Sequence, residues 1–376
     1  MKYYVLAGEQ SGDLHASNLM KELLVIDTTI QFRFWGGDLM QLVTKQEPRK
    51  HIKDLAFMGF VEVIKNIRTI FKNIAYCKKD ILEYKPDVLL LVDYPGFNLR
   101  IADWAKKQGI MVIYYISPTI WAWKENRVEI IKRSVDKMFV ILPFEVEVYK
   151  KHHYDVDYAG HPLLDAIEQE KNKLPSKTSF IAENNLDNRP IIAVLPGSRM
   201  QEIERMFSIM LKVVNDFLPY QFVIAGTNNI PKEAYNSAIE MGLKVVFNKT
   251  YALMQHADAG IIKSGTSTLE SALFKLPQVV CYKGGAISYA IARMVVGNRL
   301  KYISLPNLIL DKPIVKELIQ SEFTSEKLKN ELKLILDPNY QKQLLEDYDR
   351  LIELLGNSGA SKKAAELMYK YINAKK

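Results

Sequence analysis

The opening of the chain is repeated near its middle, and that repeat limits the fold more than any other feature. Tyr3–Ala7 is a short apolar run; the tight loop Gly8-Glu9-Gln10-Ser11-Gly12-Asp13 follows, then a helical pattern through Leu14, Leu19, Leu23 and Leu24. The second half restates it with the apolar run Ile191–Leu195, the loop Pro196-Gly197-Ser198-Arg199 and a helix expected over Gln201–Phe217. Strand, glycine-bearing loop, helix is how a doubly wound α/β domain starts, because a right-handed crossover must return the chain before the next parallel strand. Further short runs lie between helix-length segments: Val88–Val92, Met111–Ile116 and Met138–Leu142, then Phe222–Ala225, Val245–Phe247, Ala259–Ile262 and Val279–Tyr282. A strand apolar at every position is covered on both faces, which implies a parallel sheet between helix layers. The expected fold class is α/β, with two Rossmann-like doubly wound domains facing a central cleft.

The length agrees, since 376 residues exceed the roughly 250–300 that one core accommodates. The expected domains are residues 1–170 and 188–338, joined by the polar stretch Glu168–Pro190. The tail 339–376 reads as two helices broken at Gly356-Asn357-Ser358-Gly359, which either return to the first domain or exchange with another chain. A homodimer is therefore left open.

Composition narrows the partners. Apolar residues make up 48% and charged residues 25%, the balance of a folded chain. A net charge of +8 suits nucleic acid, an anionic membrane surface or phosphate-bearing small molecules. The basic residues are dispersed and never interleave with aromatics as in a nucleic-acid module, so no nucleic-acid partner is expected. Cys77 and Cys281 give neither a disulfide framework nor a zinc spacing, which suits a reducing cytoplasm. The N-terminal apolar run reads as a strand, too brief for a signal peptide. No apolar stretch reaches the roughly 18–20 residues of a spanning helix.

In open α/β sheets ligands bind beyond the strand C-termini, so the loops there carry the chemistry. Gly197, Ser198 and Arg199 suit a diphosphate: glycine admits close backbone approach, serine offers a hydroxyl, the helix start offers N–H groups, and arginine a charged fork. An ordinary tight turn with an exposed arginine fits the same string. Ser264-Gly265-Thr266 opens a second anion-friendly turn, and Glu270, one turn into the helix, can accept from ribose hydroxyls or serve the helix start. Asp93, after Val88–Val92, is placed for a general base or is a turn aspartate. His161 precedes Pro162, where it contacts a ligand or only begins a helix. The chain lacks Gly-x-Gly-x-x-Gly and the Gly-Lys-Ser/Thr of a P-loop, which argues against NAD, FAD and ATPase chemistry. No cofactor and no metal are expected: the histidines show no ligand spacing, and Asp155-Val156-Asp157 and Asp347-Tyr348-Asp349 read as surface carboxylates.

The ordered set of motifs resembles one family. It runs Ala7-Gly8-Glu9-Gln10-Ser11-Gly12-Asp13, Met58-Gly59-Phe60-Val61-Glu62-Val63, Asp93-Tyr94-Pro95-Gly96-Phe97-Asn98, Tyr115–Trp123, Leu142-Pro143-Phe144-Glu145 and Gly160-His161-Pro162. It continues with Leu195–Arg199, Ser264-Gly265-Thr266, Glu270 and Ser304-Leu305-Pro306-Asn307. This series resembles the lipid-A-disaccharide synthases, inverting glycosyltransferases of the two-Rossmann GT-B type. The resemblance implies transfer of 2,3-diacylglucosamine from UDP-2,3-diacylglucosamine to the 6-hydroxyl of 2,3-diacylglucosamine 1-phosphate, without a bound metal. By the same resemblance Asp93 is the general base. Gly197, Ser198 and Arg199 hold the diphosphate, while Ser264, Gly265, Thr266, Glu270 and Asn307 hold the nucleotide. Ser11 and His161 face the cleft from the first domain. Many members carry a second aspartate where this chain has Gly96, so Asp93 is the only carboxylate of its loop.

Both implied substrates are diacylated and reside in a bilayer. Asp54–Leu82 reads as an amphipathic segment with Phe57, Val61, Ile64, Ile67 and Phe71 at helical spacing among Lys65, Arg68, Lys72, Lys78 and Lys79. That pattern suits an interfacial helix or one packed on its own core. With the resemblance, Val61, Ile64, Ile67 and Phe71 are expected to face membrane or acyl chains, on a cytoplasmic protein peripheral to the inner membrane of a Gram-negative-type bacterium. Two other functions fit parts of the pattern: a UDP-sugar 2-epimerase, which acts on the donor alone, and a non-catalytic membrane-associated nucleotide-binding protein.

Overall fold

The computed structural model describes residues 1–55, 67–122, 125–285, 289 and 301–375. The chain divides into two compact units, Met1–Asp165 with Leu355–Lys376, and Ala166–Leu354.

The first unit alternates strands and helices: β1 (Lys2–Ala7), α1 (Gln10–Ile26), β2 (Gln31–Gly36), α2 (Asp38–Thr44), β3 (Lys50–His51) and α3 (Ile67–Tyr84). Then come β4 (Val88–Val92), α4 (Pro95–Lys107), β5 (Met111–Tyr115), α5 (Arg127–Ser134), β6 (Lys137–Val140), α6 (Glu145–Lys151) and β7 (Asp157–Tyr158), and α7 (Pro162–Lys171) begins in this unit and ends in the second. The seven strands are parallel in the order β3-β2-β1-β4-β5-β6-β7. Alternation along β1 divides the core into two layers. Tyr3, Val5 and Ala7 pack with Ala16, Leu19, Met20 and Leu23 of α1, whereas Tyr4 and Leu6 pack with Ile74, Cys77 and Ile81 of α3. Buried Asp80 ties that second layer together. It accepts from the Tyr4 hydroxyl at 2.6 Å, Arg33 at 3.0 Å and Arg49 at 3.2 Å.

The second unit contains α8 (Lys177–Glu183), β8 (Ile191–Leu195), α9 (Met200–Leu211), β9 (Gln221–Gly226), α10 (Asn236–Glu240), β10 (Lys244–Phe247) and α11 (Thr250–His256). It continues with β11 (Ala259–Lys263), α12 (Thr266–Leu273), β12 (Gln278–Tyr282), α13 (Leu305–Leu310), β13 (Lys316–Ile319), α14 (Ser325–Ile335) and α15 (Pro338–Leu355). Its parallel sheet runs β10-β9-β8-β11-β12-β13, the same winding as the first. The last helix, α16 (Ala360–Asn373), belongs to the first unit. Its Ala364, Ala365, Met368 and Ile372 complete the layer over β1. Asp165 fixes its start, accepting from the backbone N–H groups of Gly359 at 2.6 Å, Ala360 at 3.1 Å and Ser361 at 2.8 Å.

Three expectations need correction. The stretch Glu168–Pro190 is not a plain linker. Ser176 caps α8, accepting from Ser179 N–H at 3.2 Å, and fully buried Phe180 joins the core with Ile191 and Ala193. The helix expected to reach Phe217 stops at Leu211, and a 3₁₀ turn at Val214–Asp216 swings Phe217 into the core before Pro219. Asp347 is not a surface carboxylate: it is buried, with the Lys312 ammonium 2.8 Å from both oxygens. Cys77 and Cys281 are buried free thiols.

Candidate active site

In the first unit the register pairs Ala7 with Val92. The loops after β1 and β4 therefore leave the sheet side by side, at the point where strand order reverses. Gly8 is required there, since a Cβ on it would lie 2.3 Å from the Tyr94 ring. Asp93 and Tyr94 are both left-handed, with φ of 46° and 49°, so the chain turns sharply between β4 and α4. The turn is clamped from two sides. The Asp93 carbonyl accepts from the Asn98 amide at 2.7 Å and from the Tyr114 hydroxyl at 2.6 Å. The half-buried Asp93 carboxyl is pushed up to about 6, first by desolvation and then by the negative charge of Glu9. It is thus a carboxylate with raised basicity, held on a rigid turn.

Two other motif residues near these loops, Asp13 and Glu145, are structural. Asp13 caps α2, accepting from Gly37, Leu39 and Met40 N–H at 2.7, 3.1 and 3.2 Å. Glu145 is buried and satisfied by the Ser117 hydroxyl at 2.7 Å, the Trp121 indole at 3.3 Å and the N–H groups of Ile141 and Leu142 at 3.2 and 3.0 Å. It joins the loops that follow β5 and β6. Ser11 is exposed in the first turn of α1. His161 is only 4% exposed, and its Nδ1 accepts from Leu163 N–H at 3.2 Å. Burial, reinforced by neighbouring His15, lowers it to about 3, so it is neutral at physiological pH.

In the second unit Leu195 pairs with Ile262, which brings the loops after β8 and β11 together at the equivalent reversal point. Gly197 has φ of 123°, and a Cβ there would lie 2.4 Å from the Glu202 carboxylate. That carboxylate accepts from Ser198 N–H at 3.1 Å and lies 2.7 Å from the Lys263 ammonium. Arg199, more than half exposed, lies 3.9 Å from the same carboxylate. Ser264 donates to the Ile303 carbonyl at 3.2 Å, and Gly265 and Thr266 begin α12. Glu270 accepts from the Tyr251 hydroxyl at 2.9 Å, and desolvation raises its carboxyl above the usual range.

Asn307 is 1% exposed and its amide is fully engaged. It donates to the Val315 carbonyl at 2.8 Å and to Glu317 at 3.0 Å, and accepts from Val315 N–H at 2.9 Å. Glu317, which the sequence did not single out, also accepts from Ile303 and Ser304 N–H and from the Ser304 hydroxyl. It thereby sets the segment that Ser264 touches. As placed, Asn307 shapes that segment rather than presenting its amide to a ligand.

The family model described as lipid-A-disaccharide synthetase matches residues 3–371. This chain belongs to the lipid-A-disaccharide synthetase family. A lipid-A-disaccharide synthase of Geobacter metallireducens is 36% identical over 381 residues, covering 99% of this chain and 97% of that protein. One of Syntrophus aciditrophicus is 35% identical over 370 residues, covering 96% and 95%. Membership makes the chain an enzyme, a glycosyltransferase of lipid A biosynthesis. The fold is that of GT-B proteins: it is similar to the UDP-GlcNAc 2-epimerase of Neisseria meningitidis, with a TM-score of 0.67 and 98% of this chain and 100% of that one covered. The sequence identity to that structure is 16%, so the likeness concerns the fold alone.

For a lipid A enzyme the first turns of α3 matter. Ile67 and Phe71 are 49% and 59% exposed, with Arg68 and Lys72 exposed next to them, whereas Ile74, Cys77 and Ile81 turn into the core. Val61 and Ile64 lie outside the described residues, as do Met58–Val63 and Trp123 of the motifs. Among the described residues no helix is long and apolar enough to cross a membrane.

Proposed function

We propose that the enzyme transfers 2,3-diacylglucosamine from UDP-2,3-diacylglucosamine to the 6-hydroxyl of 2,3-diacylglucosamine 1-phosphate, with inversion. Asp93 takes the hydroxyl proton as the oxygen attacks the anomeric carbon; the bond from that carbon to the diphosphate oxygen breaks, and UDP departs. The products are a β-1,6-linked disaccharide 1-phosphate and UDP. The observation that carries this reading is the Asp93 turn. Its backbone is clamped by Asn98 and Tyr114, and its carboxyl, at about 6, is ionised at neutral pH yet more basic than an exposed aspartate.

The donor falls to the second unit. Gly197, Ser198 and Arg199 bind the diphosphate and offset the charge that builds on departing UDP. Ser264, Gly265, Thr266 and Glu270 bind the nucleoside, on a segment shaped by Asn307. Ser11, exposed at the start of α1, contributes to substrate binding; His161 is buried and neutral, near His15 of α1. Ile67 and Phe71 dip into the cytoplasmic leaflet of the inner membrane where both diacylated substrates lie, flanked by Arg68 and Lys72 at headgroup level.

A UDP-sugar epimerase of the same fold acts on its nucleotide sugar alone. Incubating the purified enzyme with donor, with and without acceptor, separates the two. Transfer requires acceptor for UDP release and returns the donor unchanged without it. A donor altered in the absence of acceptor would overturn the reading.

A further inference from the structure

The phosphate loop of the second unit holds an anion of its own. Glu202, on the first turn of α9, folds back so that one carboxylate oxygen accepts from Ser198 N–H at 3.1 Å, while the other lies 2.7 Å from Lys263 Nζ and 3.9 Å from an Arg199 nitrogen. Gly197 leaves the room: any side chain there would collide with the carboxylate. A backbone N–H at a helix start, an ammonium and a guanidinium converging on two oxygens is the donor set that recognises a phosphate. Lys263 is the last residue of β11, directly before Ser264-Gly265-Thr266, so it stands between the two loops assigned to the donor. Its side chain and that of Glu202 are only 21% and 16% exposed. A surface pair in water would contribute little; this one is largely withdrawn from water and centred on the loop.

We propose that Lys263 is a further diphosphate-binding residue, and that Glu202 stands in for the phosphate while the donor site is empty. Arrival of the nucleotide diphosphate displaces the Glu202 carboxylate from Ser198 N–H and Lys263, and both donors pass to phosphate oxygens. The exchange keeps the loop charge-balanced in both states, so the N–H groups and cations are already aligned when the donor arrives. It also spares the free enzyme an uncompensated, partly buried ammonium. The inference rests on the donor-site reading above.

The test is calorimetric binding of UDP and of uridine to the full-length enzyme and its Lys263→Met, Glu202→Gln and doubly substituted variants. Lys263→Met is expected to weaken UDP binding about ten- to hundredfold, the range of a charged hydrogen bond, and to leave uridine binding unchanged. Glu202→Gln removes the internal competitor and is expected to tighten UDP binding several-fold. The double variant leaves no stranded charge, so it answers even if Lys263→Met alone folds poorly; it is expected to bind UDP far more weakly than Glu202→Gln does. Equal UDP affinity in the double variant and Glu202→Gln would overturn the role of Lys263. Weakened UDP binding in Glu202→Gln would overturn the stand-in role. Failure of the unsubstituted enzyme to prefer UDP over uridine would instead remove the donor-site reading on which both depend.

Discussion

Replacing Asp93 with asparagine separates the reactivity of this carboxylate from its cost to the fold. The carboxyl moves from 3.8 in the unfolded chain to about 6 in the folded one. A gap of about two units, at about 1.36 kcal/mol each, is about 3 kcal/mol by which folding disfavours the ionised form. The folded state binds more protons than the unfolded state between these two values, so the penalty is absent below about pH 4, grows through pH 6 and is complete above it. Asp93→Asn should therefore lose about 10²–10⁴ in turnover, the usual contribution of a positioned base. It should also be more stable than the parent at pH 8, by up to about 3 kcal/mol, with the gain vanishing near pH 4. Urea unfolding at pH 4, 6 and 8, followed by a probe in the first unit, reads the stability; UDP release reads the turnover. A variant that is inactive but whose stability gain over the parent is no larger at pH 8 than at pH 4 would refute the claim that Asp93 is held ionised against desolvation. An active variant would refute its role as base.

Glu9→Gln removes the second cause of the raised Asp93 value, so the acid limb of kcat/KM should move to lower pH; an unmoved limb would show that the Glu9 charge is not felt at Asp93. Asp165→Asn weakens the cap that fixes α16, at a cost of about 1–2 kcal/mol, and should expose the α15–α16 junction to limited proteolysis and lower the melting temperature. Ile67→Ser combined with Phe71→Ser should reduce sedimentation with vesicles containing anionic lipid while leaving UDP binding unchanged; undiminished sedimentation would remove these side chains from the membrane contact.

The strands that position the site were legible because they are apolar throughout. Val88–Val92 and Ile191–Leu195 lie at sheet centres, covered on both faces, and their observed bounds coincide with the apolar runs. Strands β2, β3 and β13 escaped notice for the opposite reason. β2 interleaves Arg33 with its aromatics, β3 has only two residues, and β13 is a four-residue edge strand beginning Lys316-Glu317. At the site, loop chemistry marked Asp93 and Gly197–Arg199. Spacing could not show that Asp13 is spent on the backbone N–H groups that open α2, Glu145 on the Ser117 hydroxyl and Asn307 on Val315 and Glu317, nor that Glu202 and Lys263 meet across two loops. Those pairings depend on strand order, which brings β8 beside β11 although some sixty residues separate them in the chain.

The central claim is inverting transfer between two lipid-linked sugars. Its most direct measurement is the product formed from UDP-2,3-diacylglucosamine and 2,3-diacylglucosamine 1-phosphate in detergent containing EDTA, with UDP quantified and the linkage assigned by NMR. The account predicts one UDP per disaccharide and a β-1,6 linkage, at a rate that EDTA does not change. An α linkage, a bond to another hydroxyl, or UDP released without disaccharide would contradict it.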